Sequence, residues 1–544
     1  MIMKTIFTTI FLALSGCIGL VAQEKVFFVT GEDAPPLETK AAEQLASQFK
    51  ELFGVETAIV DFFPDGDGAT VLIGSPKTNP FTKTGWPEGL SEQGHILKSM
   101  GASNLIVGGE TPVATYWAAC ELGHQFGIRY SLHDDFMPIE KPKLTLADFD
   151  LVFEPVLRTR AWKTIGSGPF SQESWSLAEH QQLLGQLAKL KFNQVILALN
   201  PDQPFAEFDQ KEEKGIVWGG EEFRVDGETA GRSVFGGAKV FENPDLAGKA
   251  TYEKRIEAGM KIANGIISAA HDLGMKARIK IDKEHVEAAR NSLPDADTTA
   301  FQLIPIHLGP KDGGVLPHFN SSLAMQLSNS RENAEGFVVD CSVPGDHTPD
   351  VFYLSRASFN SKISPEEALH NLFTPICGEG VSDRLVLGFN AIKKASAAIA
   401  AGGPELSASD PGMLMSNYRT DEAAPEWWAE AKGSYGEGVN EMYRANTRAR
   451  GGARELTLYH AKRFTFALHY FTAIESTRAA GIAKAAGDID AQIENLELAI
   501  EAIHNALAIY AEVVRDNSDR GVIALLNKYG YRPLLDELDK IPLP

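Results

Sequence analysis

Hydrophobic positions follow two different periods in the first part of the chain. A run rich in β-branched and aromatic residues over Lys25–Thr30 predicts a strand, and apolar residues recur at helical spacing over Thr39–Phe53 until Gly54. The same signals predict further strands and a closing helix over Val55–Val60, Thr70–Gly74, His95–Leu97, Asn104–Val107 and Pro112–Phe126. Strands that alternate with helices in this way predict a small α/β layer.

A second series of strands and helices begins at Val156. The strands are predicted over Val156–Thr164, Asn193–Leu199, Lys276–Asp282, Phe301–His307 and Gly336–Ser342, with a helix between each pair. Asn193–Leu199 is almost continuously apolar, which is typical of a parallel strand buried on both faces. Repeated βαβ units indicate a barrel or an open parallel sheet. About five units are visible before Pro349, so eight full units do not fit.

Beyond Pro349 the pattern becomes helical, with helices predicted over Pro365–Leu372, Val381–Ala400, Glu426–Arg448, Ala453–Ala480 and Asp488–Val514. The predicted fold class is therefore α/β, with a small N-terminal α/β domain, an incomplete (β/α) barrel and a C-terminal helical domain. The predicted divisions are residues 1–22, 24–150, 151–390 and 391–544.

Composition excludes several classes of function. The net charge of −21 and the lack of a strong basic run argue against a nucleic-acid partner. No CxxC pair or HExxH motif is present, so a structural zinc site is not expected. No GxGxxG turn, Walker lysine or GxSxG elbow is present either, and nothing in the sequence calls for a cofactor.

The N-terminus has the features of an export signal, with Lys4 before a short apolar run over Ile6–Leu20. Leu14-Ser-Gly-Cys17 resembles a bacterial lipobox, which would leave Cys17 as a lipid anchor. Cleavage after Ala22 would instead release a soluble protein. Both alternatives place the protein outside the cytoplasm, either secreted or periplasmic or as a membrane-anchored lipoprotein.

Candidate functional residues lie where the predicted parallel strands end, because functional groups cluster at that edge of a parallel α/β fold. Asp282, Glu284, Asp340 and Asp346 are the candidate catalytic carboxylates. The candidate substrate-binding residues are Arg160, Trp162, Lys163, Asn200, Trp218, His307 and His347.

This set of residues suits sugar chemistry. Glycoside hydrolysis needs one protonated and one ionised carboxyl group, roughly 5–5.5 Å apart for retention and roughly 6.5–9.5 Å for inversion. Asp282 with Glu284 at one rim and Asp340 or Asp346 at another could form such a pair. Tryptophan rings stack on sugars, and an arginine can hold a substrate carboxylate through two hydrogen bonds.

Each candidate also has a plain structural interpretation. Asp282 and Glu284 could cap the helix predicted near His285. His307 could be a core histidine, and the Asp346–His347 pair follows Pro344-Gly345 and could form an ordinary turn. Asp340 could be a strand-end carboxylate paired with a loop.

Four motifs resemble exo-acting glycoside hydrolases, in particular the α-glucuronidases and the β-N-acetylhexosaminidases. They are the turn Gly127-Ile-Arg-Tyr130, Glu154-Pro155 leading to Arg160, the run Leu187–Asn193 into a strand, and Gly274–Ile281. The resemblance implies an N-terminal α/β domain before a barrel, and an arginine at the position of Arg160 that binds the terminal sugar. No Asp-Glu dipeptide follows a suitable strand, so the catalytic candidates come from strand-end position alone.

Three hypotheses follow. The first is an exported glycoside hydrolase that removes a terminal, uronic sugar from a polysaccharide or oligosaccharide. The second is a non-catalytic carbohydrate-binding protein on a degenerate barrel. The third is a structural secreted protein, which predicts that Arg160 and Trp162 are buried and paired instead of facing a cleft.

Overall fold

The computed structural model describes residues 25–65, 68–166, 168, 170–208, 222–249, 251–299, 302–310, 314–319, 322–333, 335–402 and 411–542. Within these ranges, none of the helices combines the length and the apolar character that a membrane span requires. Cys120, Cys341 and Cys377 are buried and form no disulfide with one another.

The N-terminal part is a six-stranded sheet. Its strands are β1 (Lys25–Val29), β2 (Glu56–Val60), β3 (Ala69–Ile73), β4 (His95–Ser99), β5 (Asn104–Gly109) and β8 (Asp150–Phe153), in the order β2-β1-β3-β5-β4-β8. Two helices, α1 (Pro36–Phe53) and α2 (Pro112–Gln125), follow β1 and β5, and a short ribbon joins β6 (Arg129–Tyr130) to β7 (Asp135–Phe136). The predicted α/β layer is confirmed, and β8 pairs with β4 as an antiparallel edge strand.

The central part is a five-stranded sheet in which every pairing is parallel. Its strands are β9 (Thr159–Thr164), β10 (Gln194–Ala198), β11 (Lys276–Lys280), β12 (Ile304–Leu308) and β13 (Gly336–Cys341). The helices of this part are α3 (Leu177–Lys189), α4 (Tyr252–Asp272), α5 (Val286–Ser292), α6 (Leu323–Asn333) and α7 (Thr348–Ala357). Ser176 caps α3 in a capping box with Glu179, as its position predicts.

The strand order of this sheet is β11-β10-β9-β13-β12. Starting from β9, the order is that of a (β/α) barrel: β10 and β11 follow on one side, and β12 and β13 return to β9 from the other. Among the described residues no pairing joins β11 to β12, so the circle is open there. Within the described residues the sheet has the five strands expected from the sequence, fewer than the eight of a full barrel.

The C-terminal part is helical, as predicted. Its helices are α8 (Pro365–Cys377), α9 (Glu379–Ala401), α10 (Glu426–Asn446), α11 (Gly452–Ala486), α12 (Ile489–Ala511), α13 (Asn517–Leu526) and α14 (Arg532–Asp539). The long helix α11 packs along α12 and α10.

A buried ion pair joins the central sheet to these helices. Asp346, just after β13, accepts hydrogen bonds from Nε and Nη2 of Arg463 on α11 at 2.8 and 2.6 Å, and both side chains are almost completely buried. The Tyr459 hydroxyl donates to the same carboxylate at 3.2 Å. Burial alone would raise the pKa of Asp346, but the Arg463 guanidinium outweighs burial and holds that pKa below its usual value.

We predict that Asp346→Asn destabilises the protein by about 3–5 kcal/mol, because it leaves the Arg463 charge buried without its counter-charge. The exposed pair of Lys25 and Glu56 provides the control, and Glu56→Gln is expected to cost less than about 1 kcal/mol. Thermal and denaturant unfolding of both variants measures the difference. Similar losses in the two variants would contradict the prediction.

Candidate functional site

The register of the central sheet brings five side chains into one row. Arg278 lies opposite Ile196, and Ile196 lies opposite Lys163. On the other side of β9, the last pair between β13 and β9 is Val339 with Trp162, so Asp340 is level with Lys163. His307 of β12 lies opposite Asp340. Residues in register on parallel strands point to the same face, so this row lies on one side of the sheet, here called the inner face.

The opposite face is covered by helices and is apolar. Arg160 and Trp162 alternate with Lys163 and therefore point to this covered face, where both are fully buried. Arg160 donates to the Lys191 and Leu157 carbonyls at 2.5 and 2.7 Å, and Trp162 Nε1 donates to the Gln172 side chain at 3.1 Å.

Arg160 and Trp162 are predicted from the sequence to bind substrate at a cleft, but both are buried on the covered face instead. The strand begins at Thr159 and not at Val156, so Arg160 stands at the amino end of β9, far from the edge where substrate groups collect. Arg160 and Trp162 are thus buried and hydrogen-bonded, which is the arrangement that the third hypothesis expects for these two residues.

Three of the predicted site residues do come together on the inner face. Lys163 Nζ lies 2.7 Å from Asp340 Oδ2, and His307 Nδ1 lies 3.4 Å from the same oxygen. The side chains of Lys163 and Asp340 are 25% and 30% exposed, so solvent reaches the pair. Asp340 is therefore a carboxylate held by one cation and flanked by an imidazole at the carboxyl end of β13.

An open cleft of about 300 Å³ lies at the same edge. It is lined by Lys163, Gly166, Ala198, Leu199, Asn200, Pro201, Gln203, Lys280, Ile281 and Asp282. The exposed Asp282 begins a short turn but makes no capping hydrogen bond with its side chain, so the capping interpretation does not describe its carboxylate. Glu284 is 79% exposed beside His285 and is absent from the cleft lining.

Glu173 is a carboxyl group that the search of the strand ends missed; it is absent from the cleft lining but is hydrogen-bonded to Gln203, which lines the cleft. It lies in the short turn Gln172–Ser174, and its Oε2 accepts hydrogen bonds from Gln203 Nε2 at 3.1 Å and from the Gly168 backbone at 3.3 Å. Burial raises the pKa of Glu173 to about 7, although these two hydrogen bonds oppose the shift. A carboxyl group with such a pKa can carry a proton near neutral pH.

The backbone between β9 and this turn is strained. Ile165 has a φ of 57°, which a β-branched residue rarely adopts and which costs of order 1–3 kcal/mol. Gly166, the next residue, lines the cleft, and its carbonyl accepts a hydrogen bond from Gln203. The strain therefore lies where the chain turns from β9 into the cleft wall.

The remaining predicted residues lie elsewhere. Asp346 has its two oxygens engaged by Arg463 and Tyr459, and His347 is buried with Nδ1 2.9 Å from Asp350 Oδ2. Neither lines the cleft. Trp218 lies outside the described residues. In the described ranges, no group of His, Cys, Asp and Glu side chains is arranged to hold a metal ion.

The fold resembles that of a solved family GH115 4-O-methyl-α-glucuronidase with specificity for decorated arabinogalactans. The TM-score is 0.52 at 10% identity, over 89% of this chain and 78% of that chain. A GH138 enzyme targeting pectin rhamnogalacturonan II gives 0.47 at 9% identity, over 90% and 74%. A family 89 glycoside hydrolase from Clostridium perfringens gives 0.44 at 11% identity, over 93% and 76%.

No family model and no curated protein matches the sequence. At 10% identity the likeness to the glucuronidase shows the fold alone, and the two scores below 0.5 add nothing to it. The N-terminal sheet, the central α/β region and the C-terminal helices thus have the arrangement of a glycoside hydrolase structure, as the sequence motifs predict.

We predict that Glu173→Gln stabilises the protein increasingly as the pH rises from about 4.5 to about 7. The folded state binds an extra proton in this window because its carboxyl pKa is raised, so the free energy of unfolding of the parent falls as that proton is lost. Glutamine cannot ionise, so the free energy of unfolding of the variant does not fall in this way. The difference between variant and parent therefore grows to at most about 3 kcal/mol and is constant at higher pH. Unfolding measured across this pH range checks it, with the exposed Glu284→Gln as control.

Proposed function

We propose that this protein is a glycoside hydrolase that removes a terminal sugar from an oligosaccharide or polysaccharide. The observation that carries the proposal is the presence of two carboxyl groups in unlike surroundings, one at the carboxyl end of β13 and one hydrogen-bonded to the cleft residue Gln203. Asp340 is in an ion pair with Lys163, whereas Glu173 lies in surroundings that favour its protonated form. Two carboxyl groups whose surroundings favour opposite protonation states are expected for a general acid and the ionised carboxylate that acts with it.

In this proposal Glu173 is the general acid. It gives its proton to the glycosidic oxygen as the bond from that oxygen to the anomeric carbon breaks, and the leaving sugar departs as an alcohol. Asp340 remains ionised and either attacks the anomeric carbon or activates the water that does so. Asp282, exposed at the lip of the cleft, is the alternative for this second role.

We propose a uronic acid as the sugar removed. Lys163 and Lys280 line the cleft, and Arg278 and His307 stand in the row on the inner face. Because Arg278 is paired with Asp297 and Lys163 with Asp340, the preference for an anionic ligand rests mainly on Lys280 in the cleft lining. Asn200 in the cleft wall supplies a neutral amide that could bind sugar hydroxyls.

The second candidate function is carbohydrate binding without catalysis. Lys163 and Asp340 neutralise each other, and the described part of the central sheet has five strands where an intact barrel has eight. A binding protein on a degenerate barrel would keep the basic cleft but would not need Glu173 to hold a proton.

Export is part of the same proposal. Residues 1–24 lie outside the described part of the chain, so cleavage after Ala22 and a lipid anchor on Cys17 remain alternatives predicted from sequence. The division of the chain at residues 150 and 390 also stays a prediction.

We predict that the protein hydrolyses members of a panel of aryl-glycosides and uronic-acid-bearing oligosaccharides. Glu173→Gln is expected to lower kcat on oligosaccharides by about 10²–10⁴-fold, because their poor leaving groups need a proton. On an activated aryl-glycoside the loss should be much smaller. Asp340→Asn should reduce turnover of both substrate types, because its role does not depend on the leaving group.

Glu56→Gln is the control and should retain parental turnover, since this exposed carboxylate lies on β2 of the N-terminal sheet and is not a candidate site residue. If turnover is present but neither Glu173→Gln nor Asp340→Asn reduces it, the assignment of roles is contradicted. Sugar binding detected by calorimetry without turnover of any substrate would identify a binding protein instead.

A further inference from the structure

The turn that carries Glu173 is held in place from outside the central sheet. Three successive backbone carbonyls, those of Glu173, Ser174 and Trp175, each accept a hydrogen bond from a side-chain amide elsewhere in the chain. Fixing three consecutive peptide groups leaves this turn little freedom to move relative to the cleft.

The C-terminal helices supply one part of this support. Asn517, the first residue of α13, donates from Nδ2 to the Ser174 carbonyl at 2.6 Å. Ser518, the next residue, accepts a hydrogen bond from Trp175 Nε1 at 2.8 Å. Asn517 and Ser518 are both buried, so water does not compete for either contact.

The loop after β10 supplies the other part. Asn243 is buried, and its Nδ2 donates to the Glu173 carbonyl at 3.0 Å and to the Trp175 carbonyl at 2.6 Å. Its Oδ1 accepts from the backbone of Asp245 at 3.0 Å, which fixes the orientation of the amide.

The first turn of α13 is itself anchored on two sides. Asp516, which caps α13, lies 2.8 Å from His133 Nε2 in the N-terminal part. The Asn517 backbone N–H donates to Glu179 Oε1 at 3.0 Å, and the other oxygen of Glu179 completes the capping box of α3. The N-terminal part therefore supports the turn that carries Glu173 indirectly, through the start of α13.

We propose that Asn517, Ser518 and Asn243 are positioning residues for Glu173, so that the C-terminal helices are a working part of the active site and not a separate module. This inference rests on the proposed role of Glu173 as the acid. A displacement of about 1 Å in a catalytic group can cost about 10²-fold in rate, so the precision of this support matters for turnover.

Loosening the turn has a second effect. Water that reaches the carboxyl group stabilises its charged form, so the pKa of Glu173 should fall from about 7 toward its ordinary value. A general acid must be protonated, and activity is lost as the pH rises through its pKa. The alkaline limb of the pH–rate profile should therefore move to lower pH in a loosened variant.

The test uses the full-length protein with Asn517→Ala and Asn243→Ala, and with Asn517→Ser as a milder change if either variant fails to fold. Asn446→Ala is the matched control, because Asn446 is also buried and its amide bonds only the Arg454 carbonyl and the Thr457 hydroxyl within the C-terminal helices. We expect both positioning variants to lower kcat about tenfold with little change in KM, and to shift the alkaline limb by about one pH unit. The control should lower stability without that shift.

A second readout does not depend on activity. The pH-dependent stabilisation produced by Glu173→Gln is measured in the parent and again in the Asn517→Ala and Asn243→Ala backgrounds. A smaller stabilisation in these two backgrounds supports the inference even if no substrate is turned over, in which case only the proposed function has failed. If Glu173→Gln stabilises these two backgrounds as much as it stabilises the parent, the inference is overturned. The same holds if Asn446→Ala shifts the alkaline limb of the pH–rate profile as far as the positioning variants do. In both cases the proposed function would still stand.

Discussion

The ion pair of Asp346 with Arg463 fixes how the C-terminal helices meet the central sheet. Two hydrogen bonds from one guanidinium to the two oxygens of one carboxylate restrict both distance and direction, and so favour one placement of α11 beyond the end of β13. Helices α12 and α13 follow α11, and the first turn of α13 then reaches the turn that holds Glu173. A polar contact buried in the core thus determines the surroundings of a group on the cleft.

The two-residue period of the strands determines which side chains can take part in chemistry. In β9 it sends Arg160 and Trp162 to the helix-covered face and Lys163 to the inner face. In β12 and β13 the same period points His307 and Asp340 to the inner face. They lie near Lys163 there because the strands are parallel and in register. The site is therefore a consequence of strand register, and the cleft lies beside it where β9, β10 and β11 end.

The sequence was sufficient for most of the elements, because long periodic segments such as Asn193–Leu199 bury whole faces and show it in their composition. It also placed Lys163, Asp340 and His307 at the same edge, since that edge collects the ends of all parallel strands. The ends of the strands were harder to predict. The sequence is strand-like from Val156, but β9 begins at Thr159, so Arg160 lies at the amino end of β9 and not at the carboxyl end where substrate groups collect. Glu173 could not be found from sequence, since its raised pKa arises from residues far along the chain that bury it.

We propose that a terminal sugar binds at the carboxyl edge of the central sheet, between Glu173 and Asp340. The most direct test is a crystal structure of the Glu173→Gln variant soaked with uronic-acid oligosaccharides. The account predicts a sugar ring in the cleft, with its carboxylate near Lys163 or Lys280 and its glycosidic oxygen within hydrogen-bonding distance of residue 173. A sugar bound elsewhere on the molecule, with this cleft empty, would contradict it.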